Sequence, residues 1–337
     1  MKKKKEITRR SFIASSAKGA LALSASGMLT SCNIFPGGEQ GKVPQKILGK
    51  TGLSVSILSF GGGSQFLRNR NGEWEKHLEL AVESGINLFD TAPNYVVTAP
   101  GGEKELTSEE RFGEILPPYR SKIHIMTKLD KDENFKRDPS TVRASVEGSL
   151  KRMKTDYIDV LLIHAVDDRD SVAEIEKGVY REMTALKEEG IIKFIGFSSM
   201  DSAERSRDLL EHLDFDVALL ALNPTRYRNY GEIALPVAQE KNVGVISIKV
   251  LRDLVGKDAT AEELLAYSWK THHVSTALIG HYGLDILKEN IRHAIEYGKK
   301  NQLALDMKEL EKRLASYAGP HALCWARPGY EDAGITV

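Results

Sequence analysis

The sequence is poor in cysteine and has no excess of charge of either sign. It contains two cysteines, Cys32 and Cys324, among 337 residues, and it has 47 basic and 47 acidic side chains. A chain with so few cysteines has no disulfide framework. Residues 1–31 hold seven basic side chains and one acidic one, so the rest of this neutral chain carries six net negative charges. A nucleic-acid-binding surface is therefore not expected.

Long apolar runs are also missing. The most apolar stretch near the N-terminus, at about residues 19–29, is interrupted by serine and glycine. It is shorter than the roughly 20 residues that cross a bilayer, so no permanent transmembrane helix is predicted. The overall composition, 41% apolar, is instead enough for one large core in a single catalytic domain.

The first residues have the order of parts found in a bacterial export signal. A basic start is followed by TRRSFI at residues 8–13, which resembles a twin-arginine motif, and LTSC at residues 29–32 resembles a lipoprotein cleavage box. A chance arginine pair in a basic tail does not account for this order. We therefore expect a signal peptide over residues 1–31, used by the twin-arginine export machinery, and lipidation of Cys32. Both place the protein on the periplasmic side of the cell envelope, held to the membrane by its lipid.

After a flexible linker predicted at residues 32–44, strand-like and helix-like patterns alternate. Apolar, β-branched runs predict eight strands: Ser54–Phe60, Asn87–Asp90, Ile123–Lys128, Tyr157–His164, Ile192–Ser198, Val217–Asn223, Val243–Lys249 and Ser275–Gly280. Apolar residues at helical spacing predict helices between them, among which are Glu73–Ser84, Pro139–Met153, Asp170–Glu189, Ala203–Leu213 and Leu284–Lys299.

Eight such units predict an α/β fold, a single closed (β/α)8 TIM barrel over residues 45–299, followed by a C-terminal helix and tail at 300–337. The alternative is an open doubly wound sheet, which should carry a G-x-G-x-x-G fingerprint after its first strand. The chain has Gly61-Gly62-Gly63 at this position, without that spacing. The glycine triplet is therefore interpreted as a tight turn.

Ionisable side chains stand at the ends of three neighbouring predicted strands. Asp90, Lys128 and His164 end strands two, three and four, and Tyr95 follows strand two. In this fold, catalytic groups lie at the carboxyl ends of the strands. Each residue alone has an ordinary structural explanation, such as a turn cap or a core imidazole. Four of them at one face favour a functional site, because buried charges are costly unless they pair.

These residue types suit carbonyl reduction, which needs a hydride at carbon and a proton at oxygen. Tyr95 can donate the proton, and a neighbouring Lys128 ammonium would lower the tyrosine pKa from its usual value of about 10. Asp90 would be the counter-ion of Lys128, and His164 would hydrogen-bond the substrate oxygen. The sequence thus predicts Tyr95 as general acid/base. No metal site is expected.

Four segments resemble the aldo-keto reductases, and the resemblance extends over residues 45 to about 291. The segments are KILGKTGLSVS at 46–56, GINLFDTAPNY at 85–95, MTK at 126–128 and DVLLIH at 159–164. The first is similar to the family's opening hairpin, and the others contain Asp90, Tyr95, Lys128 and His164. The resemblance implies an N-terminal hairpin before the barrel, NAD or NADP as cofactor and a small carbonyl or alcohol substrate.

The same resemblance places the nicotinamide end of a cofactor beside strands five and six. Ser198 and Ser199 stand where the family holds the carboxamide with a Ser-Asn pair, and Asn223 lies where it often has glutamine. Because serine has one polar atom fewer than asparagine, we expect fewer nicotinamide contacts than usual.

Positive charge is expected at the pyrophosphate. Lys249 ends strand seven and Arg252 follows it, where this fold binds phosphate groups. Residues 96–107 lengthen the loop after Tyr95 and are predicted to line or cover the substrate pocket. Because the envelope is not expected to replenish nicotinamide nucleotides, we hypothesise that the cofactor is bound before export and retained.

The adenosine end is predicted at the last strand and helix. Gly280 begins a segment that resembles the family's adenosine-binding turn, with Glu289 and Asn290 at adenine-contacting positions. Tyr282 and Ile286 stand where the family has basic residues for a 2′-phosphate. Their neutral side chains favour NAD over NADP.

Two other functions stay open at this point. Lys128 could be an amine nucleophile that forms a Schiff base, with Asp90 and Tyr95 as proton shuttles. Alternatively, the barrel could bind nicotinamide as a sensing, non-catalytic subunit of an envelope complex.

Overall fold

The computed structural model describes residues 41–98, 105–132, 136–299, 304–330 and 334–336. The predicted signal peptide, Cys32 and the linker up to Gln40 lie outside these ranges. Contacts with the barrel begin before its predicted first residue, since the buried Val43 donates its backbone N–H to the Ser84 carbonyl at 2.9 Å. In the described ranges, no helix is both long enough and apolar enough to cross a membrane.

Eight parallel strands close into a barrel, which confirms the predicted fold class. The strands of the described chain are β1 (Gln45–Ile47), β2 (Ser54–Ser56), β3 (Leu58–Gly61), β4 (Leu88–Asp90), β5 (Val97–Thr98), β6 (His124–Leu129), β7 (Ile158–Ile163), β8 (Ile192–Ser199), β9 (Val217–Ala221), β10 (Gly244–Ile248), β11 (Val274–Gly280) and β12 (Ile335–Thr336). The barrel strands are β3, β4 and β6 to β11, and they follow one another around the barrel in chain order.

Continuous apolar runs form the barrel wall because its strands are covered on both faces. β7 is buried at all six positions, and β9 and β10 are buried at all five. Since the strands are parallel, their carboxyl ends meet at one face of the barrel. The residues that end or follow them are therefore brought together there.

Amphipathic helices surround the barrel. Thr107 and Thr260 each begin a helix with a capping box, in which a glutamate three residues later returns the hydrogen bond. The helices are α1 (Ser64–Leu67), α2 (Trp74–Glu83), α3 (Ser108–Ile115), α4 (Val142–Met153), α5 (Val172–Ile175), α6 (Arg181–Glu188), α7 (Ala203–His212), α8 (Tyr230–Ile233), α9 (Leu235–Glu240), α10 (Ala261–Lys270), α11 (Leu284–Lys299) and α12 (Met307–Leu314).

Two predicted elements are divided in the structure. The predicted strand Ser54–Phe60 breaks at Ile57, because its first half pairs antiparallel with β1 and its second half enters the barrel as β3. The predicted helix Asp170–Glu189 is interrupted at Gly178, whose φ of −105° and ψ of −108° are not helical. A Cβ at Gly178 would lie 3.0 Å from the Pro139 ring, so close packing accompanies the kink.

The predicted N-terminal hairpin is present and covers the amino-terminal end of the barrel. β1 and β2 pair antiparallel, and the Lys46 ammonium donates to the carbonyls of Trp269 and Val274 at 2.7 and 3.1 Å. In the turn, Gly49 has φ of 47°, and a Cβ there would lie 2.3 Å from the backbone nitrogen of Gly244. Only glycine fits this approach.

The C-terminal segment after α12 passes over the opposite, carboxyl-terminal face. The Cys324 N–H donates to Asp253, in the loop after β10, at 2.7 Å. The buried Trp325 contacts the ring of Tyr227, in the loop after β9, at 5.5 Å between centroids. Farther on, β12 pairs in parallel with β5, in the loop after β4. The tail therefore contacts several of the loops that surround the barrel mouth.

Candidate active site

A buried ion pair joins the ends of two neighbouring barrel strands. The Lys128 ammonium in β6 lies 2.6 and 2.7 Å from the two carboxylate oxygens of Asp90, the last residue of β4. The Thr91 carbonyl accepts a third hydrogen bond at 2.7 Å. The Lys128 and Asp90 side chains are 2% and 4% exposed. An ammonium has three N–H donors, so all three are used, and this charged arrangement does not favour Lys128 as a free amine nucleophile.

Tyr95 packs against this ion pair. The Lys128 Nζ atom lies 4.7 Å from the centre of the tyrosine ring. On another side, the His164 ring meets Tyr95 edge-on at 5.8 Å between centroids. The structure thus brings together the four residues predicted as the catalytic set. Apolar side chains complete the surroundings of the tyrosine: Leu67, Ala92, Val97 and Ile335.

His164 is hydrogen-bonded to a carboxylate that is not among the predicted site residues. The imidazole follows β7 directly, is 5% exposed and hydrogen-bonds through Nδ1 to the carboxylate of Asp130. The alternation of side chains along a strand could have indicated Asp130 from the sequence. Asp130 stands two residues after Lys128, so it lies on the same side of the chain if the extended backbone continues by one residue beyond β6.

Cations beside His164 are paired with other acids. Arg137 donates to Asp170 at 2.7 and 3.0 Å and to the backbone carbonyl of His164 at 2.8 Å. Lys131 lies 2.7 Å from Asp167 and 3.1 Å from Asp170. These contacts hold the backbone at His164, while the ring itself pairs with a separate carboxylate.

The two serines that end β8 have different hydrogen-bond partners. The Ser198 hydroxyl accepts from the backbone N–H of Ala165 at 2.9 Å, which leaves its own proton for another acceptor. The Ser199 hydroxyl is buried and lies 2.8 Å from the Val166 carbonyl and 2.9 Å from the Tyr230 hydroxyl. Burial raises the pKa of Tyr230 far above its usual value, so this phenol stays neutral. Ser199 thus ties the loop after β7 to Tyr230.

Lys249 and Arg252 follow β10 and face an aromatic residue of the C-terminal segment. Lys249 Nζ lies 3.4 Å from the Tyr330 hydroxyl and 4.9 Å from its ring centre, and the Arg252 guanidinium lies 5.5 Å from the same centre. Asn223 is engaged within the protein: its amide donates to the Lys249 carbonyl at 3.3 Å, and its oxygen accepts from the Thr225 N–H at 3.0 Å.

At the predicted adenosine end, Gly280 is the last residue of β11. Asn290 on α11 is 2% exposed, and its amide nitrogen has no hydrogen-bond partner in the described chain. The neighbouring Glu289 side chain is 53% exposed. Tyr282 and Ile286 are also exposed, at 55% and 49%.

Among the residues that the structure describes, one cluster of metal-ligating side chains lies away from the four catalytic candidates. Glu262 on α10 and His293 and Glu296 on α11 bring ligand atoms within 4.8 Å of one another. Arg292 already lies 3.2 Å from a Glu296 oxygen. This arginine supplies the positive charge that a cation would otherwise bring.

Comparison with known proteins identifies a matching family model and several relatives. The model of the aldo/keto reductase family matches residues 58–305. An L-galactose dehydrogenase of Arabidopsis thaliana is 32% identical over 225 residues, 62% of this chain and 66% of that protein. An uncharacterised oxidoreductase of Bacillus subtilis is 27% identical over 208 residues, 59% of this chain and 62% of that protein. The matches therefore span less than two thirds of either curated relative.

Among solved structures, a Pseudomonas aeruginosa protein assigned as an aldo-keto reductase is similar to this chain. The two are 29% identical, with a TM-score of 0.61, and the match covers 76% of this chain and 97% of the other. The barrel described above is thus shared over nearly the whole of that protein.

Proposed function

Because the chain belongs to the aldo/keto reductase family, we propose that it is an NAD(P)-dependent oxidoreductase that interconverts a carbonyl compound and an alcohol. The observation that carries the proposal is the position of Tyr95, which packs between the buried Lys128–Asp90 pair and His164. This arrangement has a proton donor, a fixed positive charge and a hydrogen-bonding imidazole at one face of the barrel.

Tyr95 is the general acid/base. In reduction its hydroxyl gives a proton to the carbonyl oxygen, and in oxidation its phenolate takes the proton from the alcohol. The Lys128 ammonium, whose Nζ atom lies 4.7 Å from the centre of the Tyr95 ring, stabilises the phenolate electrostatically, and Asp90 is its buried counter-ion. When NAD(P)H is bound, it supplies the hydride to the carbonyl carbon.

A Tyr95→Phe variant tests this assignment, because it keeps the ring and removes only the proton. Carbonyl-dependent oxidation of reduced nicotinamide should fall by about 10²–10⁴-fold, while the dissociation constant of the cofactor stays nearly unchanged. Tyr119→Phe is the matched control, since Tyr119 lies in a short helix before β6 and outside the site. Undiminished turnover in Tyr95→Phe excludes Tyr95 as the proton donor.

The residues at the adenosine and pyrophosphate positions fit a dinucleotide. The buried Asn290 amide lacks a partner in the described chain, and a buried unpaired donor is costly unless a ligand satisfies it. We assign Asn290 and Glu289 to the adenine, beside Gly280. Lys249 and Arg252 supply two positive charges for the pyrophosphate.

The nicotinamide end has fewer polar groups to offer. Ser198 keeps a hydroxyl proton for the carboxamide oxygen, whereas the polar atoms of Ser199 and Asn223 already bond within the protein. We therefore assign the carboxamide contact to Ser198. The neutral, exposed Tyr282 and Ile286 favour NAD over a cofactor with a 2′-phosphate.

The motifs at residues 8–13 and 29–32 support export and lipidation as part of this function. The mature protein then begins at Cys32 and partitions with membranes in its native host. Intact-mass analysis of the native protein tests the cleavage, and Cys32→Ala tests the anchor by releasing the protein or leaving it uncleaved. A native mass that still includes residues 1–31 contradicts the proposal.

A cofactor that is bound before export and then retained resolves the shortage of nucleotide outside the cytoplasm. One substrate would reduce it and a second would oxidise it at the same Tyr95 site. The C-terminal segment supports slow release, because Tyr330 lies beside both Lys249 and Arg252. Mass spectrometry of protein isolated from its own envelope, without added nucleotide, should detect NAD or NADP. A barrel that is isolated empty and binds nicotinamide only weakly refutes retention.

A further inference from the structure

The imidazole of His164 has a charged partner that the catalysis described above does not use. Its Nδ1 atom hydrogen-bonds to the carboxylate of Asp130, from the loop after β6. Both nearby cations are engaged elsewhere: Arg137 pairs with Asp170, and Lys131 pairs with Asp167 and Asp170. The Asp130 contact is therefore specific to the imidazole ring and is not part of the surrounding ion-pair network.

A carboxylate partner determines which ring nitrogen carries the proton. An ionised carboxylate only accepts hydrogen bonds, so the nitrogen that faces it must be protonated. With Nδ1–H committed to Asp130, Nε2 is the ring nitrogen left for a ligand. The reacting oxygen accepts a hydrogen bond from Nε2 when this nitrogen is protonated as well, and a ring protonated at both nitrogens needs a negative partner such as the Asp130 carboxylate.

We propose that Asp130 is a positioning residue of this site: its carboxylate binds Nδ1–H of His164, fixes the ring and presents Nε2 to the reacting oxygen. The inference rests on the proposed oxidoreductase function. Tyr95 then has two neighbours that are each held by a carboxylate, Lys128 by Asp90 and His164 by Asp130. The proton consumed in reduction still comes from Tyr95, so His164 orients the substrate oxygen without net proton transfer.

The Asp130→Asn variant separates this role from simple packing. The amide has nearly the same shape, but its NH₂ group can donate to Nδ1 and so favours the opposite tautomer. We expect kcat for carbonyl reduction to fall by about 10–100-fold, the range found for carboxylates that orient a metal-binding histidine. The dissociation constant of NADH should stay unchanged, and Asp130→Glu should recover part of the lost kcat.

Asp132→Asn is the matched control. It makes the same chemical change two residues farther along the loop, at an exposed carboxylate that accepts from the Lys136 N–H at 2.7 Å. Its kcat should stay within twofold of the parent. An Asp130→Asn variant that keeps full kcat overturns the proposal, as does one in which only cofactor binding is lost.

Nitrogen-15 NMR of the histidine rings supplies a test that needs no turnover, with the His164 signals assigned from a His164→Gln variant. In the parent protein, His164 should be protonated at Nδ1, and in Asp130→Asn the proton should move to Nε2. A parent His164 protonated only at Nε2 overturns the proposal. A parent protein with the expected tautomer and no turnover of any carbonyl compound would instead count against the oxidoreductase function.

Discussion

Replacing Asp90 by asparagine removes the carboxylate that balances a buried ammonium. The Lys128 and Asp90 side chains are 2% and 4% exposed, so water cannot take the place of the lost charge. Of the three hydrogen bonds that the ammonium donates, the one to the Thr91 carbonyl is retained, and the asparagine oxygen can accept a second. Breaking a buried pair by removing one partner costs about 3–5 kcal/mol. Because two acceptors persist, we expect Asp90→Asn to lower the free energy of unfolding by about 3 kcal/mol.

The second half of the experiment removes both charges. Lys128→Met alone leaves the Asp90 carboxylate buried without its ammonium and should cost a similar amount. The double variant Asp90→Asn/Lys128→Met has no uncompensated charge, and such replacements are often neutral for stability. Its free energy of unfolding should therefore return to within about 1 kcal/mol of the parent value. All three variants should lose turnover, because Tyr95 has no ammonium or no correctly held ammonium beside its ring.

Urea unfolding followed by circular dichroism measures the stability of the four proteins in this cycle. The surface pair Lys154–Glu114 is the control, with an N–O distance of 2.9 Å and side chains that are 54% and 48% exposed. Lys154→Met should change stability by less than about 1 kcal/mol. The reasoning fails if each single change at the buried pair costs as little as this control. It also fails if the double variant is as unstable as the sum of the two single variants.

Three further predictions concern His281, Asp159 and Ser198. Burial lowers the pKa of His281 to about 3. In the unfolded chain the same imidazole binds a proton below about pH 6.5, so the free energy of unfolding falls as the pH falls. In urea titrations, His281→Leu should reduce the loss of unfolding free energy between pH 8 and pH 5 by about 2 kcal/mol. A variant with the same loss as the parent contradicts this. Burial alone would raise the pKa of Asp159, but hydrogen bonds and charge from its basic neighbours outweigh it and lower the pKa to about 2. The ionised Asp159 carboxylate therefore adds its full contribution to the free energy of unfolding above about pH 4, and this contribution is lost toward pH 2. Asp159→Asn should lower the free energy of unfolding by about 2 kcal/mol at pH 7. A loss of the same size at pH 2 argues against this origin. Ser198→Ala should weaken NADH binding about 2–10-fold, and Ser199→Ala should leave it unchanged, as measured by fluorescence titration. The reverse order would assign the carboxamide contact to Ser199.

Local patterns were sufficient for the barrel and for most of its catalytic face. Apolar runs of strand length alternate with helical spacing, and parallel strands that follow in chain order place their carboxyl ends at one face. Asp90, Lys128 and His164 could therefore be grouped from their positions at the ends of predicted strands. The division of two elements could not be predicted so easily, because Ile57 and Gly178 are exceptions within otherwise continuous patterns.

The sequence by itself determined the fold, the family to which the chain belongs and the proximity of four polar residues. Only the tertiary structure decided which partner each polar group takes. His164 binds Asp130 from 34 residues away, Ser199 contacts Tyr230 from 31 residues away, and Lys249 meets Tyr330 from 81 residues away. Such contacts depend on how separate loops pack over the barrel mouth. Periodicity describes the face on which a side chain lies, but not the distance to a group on another loop.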